Sequence, residues 1–257
     1  MLTRELREYA EVPERYAFVA PGGPVTRDDD GRVCVLQGAT WATVASPRVE
    51  EDELDDLIAE VRRIVPREKD TTWWLGPASR PQDVEEQLRR RGFRDDPRTP
   101  LLRAVALAEE PAGAPGVDVR RVETFEDFVP ARELQWDAFD SPPERREQQR
   151  PHLRTEFVKT QESGNVVVFL AFVDERAVAT ATAVLAERGV FMIAGSTLTW
   201  ARGRGCYRAL VRARWDLAVE RGTPALVTHA APGTSYPILK RLGFEDVCTL
   251  RRLREKR

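Results

Sequence analysis

Arg202-Gly203-Arg204-Gly205-Cys206-Tyr207, lying between an apolar run and a segment of helical periodicity, decides more about this chain than any other stretch. Glycine lacks a Cβ and tolerates positive φ, so a loop holding Gly203 and Gly205 can turn its N–H groups toward one point and admit a ligand to the backbone. Beyond the loop, Leu210, Ala213 and Leu217 recur at helical spacing. The loop therefore opens a helix, where unpaired N–H groups and the positive end of the helix dipole favour an anion, and Arg202 and Arg204 add formal charge. A phosphate-bearing ligand is the expected guest.

Working outward, three strand-like runs precede the loop: 165–173, 177–185 and 189–198, joined by turns at Asp174-Glu175 and Glu187-Arg188-Gly189. They predict an antiparallel meander. The helix after the loop, 206–221, stops at Gly222, and Ala225–Ala230 reads as the next strand, so strand, helix and strand form a parallel crossover. A short helix over 235–241 is closed by Gly243, and 247–253 is the last predicted strand. Upstream, Val117–Val122 alternates as a strand, and Thr124 with Asp127 signals the start of a helix running to about Phe139. Pro130 allows two readings, a helix that begins there or one that passes through it. The stretch 141–164 reads as a polar region.

The first half carries a faint copy of this ending. Residues 73–76 read as a strand, 81–91 as a helix, and Arg91-Gly92-Phe93 matches Leu242-Gly243-Phe244. Trp74 precedes Phe93 by the same number of residues as Ala225 precedes Phe244, and a helix over 50–65 stands where 206–221 stands in the second copy. The loops before those helices differ. Val44-Ala45-Ser46-Pro47-Arg48-Val49 has no glycine, and its proline removes an N–H, so it cannot build the same anion cradle. The linker Pro111-Ala112-Gly113-Ala114-Pro115-Gly116 divides the chain into expected domains at 1–113 and 114–257.

Composition sets the class. The 257 residues are 42% hydrophobic and 32% charged with a formal net charge of -2, a globular balance that gives no global invitation to nucleic acid. Nearly all positive charge is arginine, the lysines being Lys69, Lys159, Lys240 and Lys256. Cys34, Cys206 and Cys248 are odd in number and far apart, against both a disulfide framework and a clustered metal site. The first residues lack the apolar core of a signal peptide, and no run has the length of a membrane span, so a cytoplasmic protein with no metal, no membrane and no nucleic-acid partner is expected.

A strand, then Arg202-x-x-Gly205-x-Tyr207 opening a helix, then a strand and a short helix ending in Leu242-Gly243-Phe244, resembles the GNAT superfamily of acyl-CoA N-acyltransferases. The resemblance spans 117 to about 254 and, with the copy, looks like a tandem GNAT arrangement whose N-terminal domain is degenerate. It implies an α/β (α+β) fold: a mixed, mostly antiparallel central sheet flanked by helices, duplicated. It implies acetyl-CoA as co-substrate, its pyrophosphate on the backbone of Arg202, Gly203, Arg204, Gly205, Cys206 and Tyr207, and its thioester arm along Gly195, Ser196, Thr197 and Leu198. Tyr207 departs from the pattern, which has Gly or Ala there.

The activity implied is transfer of an acetyl group to a primary amine, on a small molecule or a peptide, with a homodimer as the candidate assembly; the alternative is a non-catalytic acyl-CoA-binding or interaction module. Where many relatives keep an acidic tyrosine this chain has Leu239, and the strand before the loop has no carboxylate. His229 and Tyr236 are the remaining candidates for base and acid. Glu133, Asp137 and Asp140 are candidates to attract a cationic amine, and Trp136, Phe139 and Phe157 to wall its apolar part. Cys206 reads as filler.

Overall fold

The computed structural model describes residues 1–255. Along the first half run α1 (Arg4–Glu11), β1 (Thr26–Asp29), β2 (Cys34–Gln37), β3 (Trp41–Ala45), α2 (Leu54–Ile64), β4 (Asp70–Leu75), α3 (Val84–Arg90), β5 (Arg94–Asp95) and β6 (Leu101–Leu107). The second half holds β7 (Asp118–Arg121), α4 (Phe125–Ala138), α5 (Pro143–Gln149), α6 (Leu153–Ser163), β8 (Val166–Val173), β9 (Arg176–Ala186) and β10 (Gly189–Thr197). It ends with α7 (Cys206–Glu220), β11 (Leu226–Ala230), α8 (Ser235–Arg241) and β12 (Glu245–Arg254). The order three strands, helix, strand, helix, strand therefore occurs twice, as β1-β2-β3-α2-β4-α3-β5 and as β8-β9-β10-α7-β11-α8-β12. In both copies the first three strands pair antiparallel and the third pairs parallel with the fourth. This is the mixed α/β, mostly antiparallel fold expected.

Two compact units form, and their border is not the linker. One unit joins Met1–Ala106 to the segment from His229 onward; the other is Leu107–Thr228. The reason is pairing: β12 lies between β4 and β6, with Leu253 opposite Trp73 and Leu250 opposite Leu102, and β5 also pairs with it. A strand ladder at the end of the chain thus completes the sheet of the first unit.

That first unit packs α2 through Leu54, Leu57, Ile58 and Val61, one face at helical spacing, onto Val35, Val44, Trp73 and Leu253. Trp73 meets Phe93, from the Gly92-Phe93 stop, edge to face at 5.4 Å.

In the second unit Val122, Phe128, Ala131, Leu134, Trp136, Leu153 and Leu170 form a core under α4. Thr124 caps α4 by accepting from the Asp127 N–H at 3.2 Å, so the helix begins there and Pro130 lies inside it. The polar region 141–164 holds two helices, α5 with no buried residue and α6 with Leu153 alone; neither has the apolar face that would betray it in sequence.

Candidate functional site

The site is built where β10 leaves β11. These strands pair in parallel for two residues, Val190 with Leu226 and Phe191 with Val227. Next, the Thr228 hydroxyl donates to the Met192 carbonyl at 2.8 Å, a side chain standing in for the ladder. Beyond it, among the described residues, β10 stays paired only to β9, through a bulge between Ile193 and Ser196 where Ala194 takes φ 52°. A bulge bends and twists the strand that bears it, which is how β10 parts from its neighbour while keeping the other ladder. Among the described residues, backbone groups on the open side have no ladder partner.

The open strand leads straight into the glycine loop. Gly203 and Gly205 adopt φ 81° and 84°, left-handed backbone that side chains rarely take. A Cβ on Gly205 would lie 2.9 Å from the Ala114 Cβ of the linker, so both space and conformation demand glycine here. Gly205 caps α7 without any side-chain hydrogen bond, leaving the first-turn N–H groups unspent. Arg202, Gly203 and Arg204 are exposed. Arg204 is tethered to Asp174 at 2.9 Å, and Arg202 Nε leans on the Thr197 carbonyl at 3.4 Å.

Cys206 is buried, its sulfur facing the Ala201 carbonyl, and desolvation pushes its thiol pKa up, the opposite of an activated nucleophile. The hydroxyls of Ser196 and Thr197 are buried with no hydrogen-bond partner. Leu198, also expected to offer its N–H, has spent it on the Val178 carbonyl at 3.0 Å. Gly195 has the ring of Tyr207 against it, a built Cβ coming 3.0 Å from Cε2. An uncapped helix start, two arginines and two orphaned hydroxyls on a parted strand fit a long ligand with a phosphate end and a polar arm, as coenzyme A has.

The two residues read from sequence as base and acid are both engaged in packing. His229 belongs to the first unit: its Nε2 is 2.9 Å from the Ala10 carbonyl, and its ring lies tilted against Trp74 with centroids 5.0 Å apart. Desolvation lowers its pKa to about 4, with repulsion from Arg252 adding to the effect. A ring so placed is neutral and weakly basic at neutral pH, which suits packing rather than proton abstraction. Tyr236 is engaged as well, its ring 5.6 Å beneath Arg103. Leu239 is fully buried.

On α4, Glu133 pairs with Arg150 at 2.5 Å and Asp137 with Arg146, so two of the three acceptor carboxylates are neutralised; Asp140 sits exposed just past the helix with φ 48°. Trp136 is core, its Nε1 donating to Gln149 at 2.9 Å, and Phe157 packs on Phe125 and Phe128. Phe139, 57% exposed, remains available as an apolar wall. Sequence reasoning missed Arg214, a charged residue on α7 that is only 1% exposed; its place on the face of Leu210 and Leu217 was the available signal.

Among the described residues no His/Cys/Asp/Glu group could hold a metal, and no helix is long and apolar enough to cross a membrane. The sequence matches no family model and no curated protein. Solved structures do resemble it. A GCN5-related N-acetyltransferase from Kribbella flavida aligns with TM-score 0.65 at 18% identity, covering 98% of this chain and 96% of that one. A tandem GNAT protein from the clavulanic acid biosynthesis pathway aligns with TM-score 0.59 at 12% identity, covering 98% and 87%. A GCN5-related N-acetyltransferase from Sphaerobacter thermophilus gives 0.54 at 16%, covering 89% and 83%. The chain has the fold of these N-acetyltransferases.

Proposed function

We propose that this protein, which carries the GCN5-related N-acetyltransferase fold, binds one acyl-CoA in its second unit and transfers the acyl group, acetyl in the first instance, to a primary amine. The observation that carries the reading is a coincidence at one end of β10: the strand parts from β11 after Phe191 and runs directly into an uncapped, arginine-flanked helix start. Neither feature alone names a ligand; together they suit an extended molecule with an anionic end.

Acyl-CoA supplies an activated acyl group, a thioester that an amine can attack. In this reading Gly203, Arg204, Gly205, Cys206 and Tyr207 hold the pyrophosphate by backbone N–H groups, and Arg202 adds charge. The β10 backbone at Gly195, Ser196 and Thr197 orients the arm, with the two orphaned hydroxyls as further donors. Orientation of this kind supplies much of the rate, since it converts a bimolecular encounter into a positioned one. With Glu133 and Asp137 already paired, an amine on a largely uncharged or apolar scaffold is a better acceptor than a polycation. A cytoplasmic setting follows from acyl-CoA as donor.

Acyl-CoA binding without transfer is the second reading, favoured by the burial of Leu239 and the engagement of His229 and Tyr236. The test has two arms. Acetyl-CoA titrated into the protein is expected to bind and raise its Tm, and a panel of primary amines is expected to yield acetyl-CoA-dependent thiol release. Binding without release from any amine selects the second reading; no binding rejects both.

A further inference from the structure

Tyr207 stands where the loop pattern has glycine or alanine, and β10 carries the complementary exchange. One edge of the Tyr207 ring rests on Gly195: a Cβ placed there would lie 3.0 Å from Cε2, 3.7 Å from Cδ2 and 3.9 Å from Cζ. The three atoms nearest that point all belong to this ring, which occupies a notch that glycine leaves open. A large residue on the helix is thus matched by a glycine on the strand.

Gly195 is one half of the β10 bulge. Ile193 pairs with Thr182 and Ser196 with Thr180, so Ala194 and Gly195 together face Ala181, the single β9 residue between. Ala194 holds φ 52°, left-handed backbone that a residue with a side chain keeps only where its surroundings enforce it. The ladder to β9 skips this pair of residues, and β11 has already parted from β10. What reaches the bulge from α7, the helix packed along β10, is the Tyr207 ring. Tyr207 is also the second residue of α7, in the uncapped turn that receives the anion in the reading above. One side chain therefore joins the two parts of the site, the bulged strand and the helix start.

We propose that Tyr207 is a positioning residue: its ring, seated on Gly195, fixes the β10 bulge and the first turn of α7 relative to one another, so that the arm and the pyrophosphate of the donor are gripped in register. The inference rests on the acyl-CoA reading above. A ligand held at two points keeps its productive geometry only if those points do not shift, and a misplacement of about 1 Å can cost about a hundredfold. The role belongs to the ring and not to its hydroxyl.

The test titrates acetyl-CoA by calorimetry into wild type, Y207A, Y207F, G195V and the double variant G195V/Y207A, and follows amide exchange in the ligand-free proteins. Y207A is expected to bind about tenfold more weakly, with amides in 192–197 exchanging about tenfold faster while those of α4 keep wild-type rates. Y207F should recover affinity to within about threefold of wild type. G195V, which pushes a branched side chain into the ring, should lose about thirtyfold, and the double variant should bind at least as well as the weaker single variant, because each change removes what the other collides with. Should G195V fail to fold, Y207A and Y207F with the exchange rates decide. A ring that only stabilises the unit would speed exchange in α4 as much as in 192–197 and leave the affinity of folded Y207A at the wild-type value, which overturns the proposal. Equal losses in Y207F and Y207A, or single losses that multiply in the double variant, overturn it too. In each of these cases acetyl-CoA binding by wild type keeps the acyl-CoA reading intact; a wild type that binds none removes the ground for both.

Discussion

The two copies of the same strand-helix-strand unit answer one question in opposite ways: what happens at the end of the third strand. In the first unit β3 stays zipped to β4 for five residue pairs, Trp41 with Asp70 through Ala45 with Trp74. The contact then runs on, Ser46 N–H to the Trp74 carbonyl at 3.0 Å and Arg80 N–H to the Pro47 carbonyl at 2.7 Å. In the second unit β10 and β11 share two pairs and part at a bulge.

The helix starts differ in the same sense. Glu50 and Glu53 form a capping box, and Glu51 and Asp52 stand between them, so that first turn is satisfied and negative. Gly205 leaves the α7 turn unsatisfied, with arginines around it. The proposed ligand site thus lacks what ordinary stability would install: a complete ladder and a cap.

Copying the first unit's solution onto the second should have the largest effect. An acidic side chain on a left-handed residue already crowded by Ala114 strains the loop and sets charge against the ligand, so G205D is expected to weaken acetyl-CoA binding about a hundredfold or more by calorimetry. Wild-type affinity in a folded G205D protein would break the comparison.

His229, at the far end of β11, sharpens it in another way, because it serves the packing of the first unit. Its folded pKa lies below the 6.5 of an unperturbed histidine, so the unfolded chain takes up the proton first. The stability held by the neutral ring is whole above about pH 6.5 and drains away as pH falls toward about 4. At about pH 5.5 the loss is of order tenfold in the folding constant. Thermal melts of H229Q should lack this component, and a wild-type Tm that is flat across the window contradicts the burial argument.

Smaller effects follow from exposed groups. R202A should weaken acetyl-CoA binding about three- to tenfold, and the difference should shrink as salt is raised. E50A should lower the melting temperature by about 2 to 4 °C through its lost cap while leaving acetyl-CoA affinity unchanged. A drop in affinity on E50A would place the ligand in the wrong unit.

What could be read from the sequence was local. Glycines at positive φ, the cap at Thr124, the stop at Gly222 and the helices 206–221 and 235–241 all announce themselves within a few residues, and the structure keeps them within a residue or so. The duplication was legible because it repeats such local signals.

Three things were not, each because it depends on a distant partner. β12 joins β4 and β6 by pairing that no sequence window contains. His229 reads as a strand-end base until Ala10, at the other end of the chain, takes its nitrogen. The carboxylates of α4 look free until α5 and the turn after it deliver Arg146 and Arg150, on a segment whose charged surface hid its helices. Arg214 reads as a surface charge because its burial depends on how α7 packs.

Calorimetry of acetyl-CoA binding combined with hydrogen exchange tests the central contrast most directly. One molecule should bind per chain, and amides in 192–197 and 203–209 should gain protection while those in 44–54 do not change. Two molecules per chain, or protection of the capped turn at Glu50, would contradict the account.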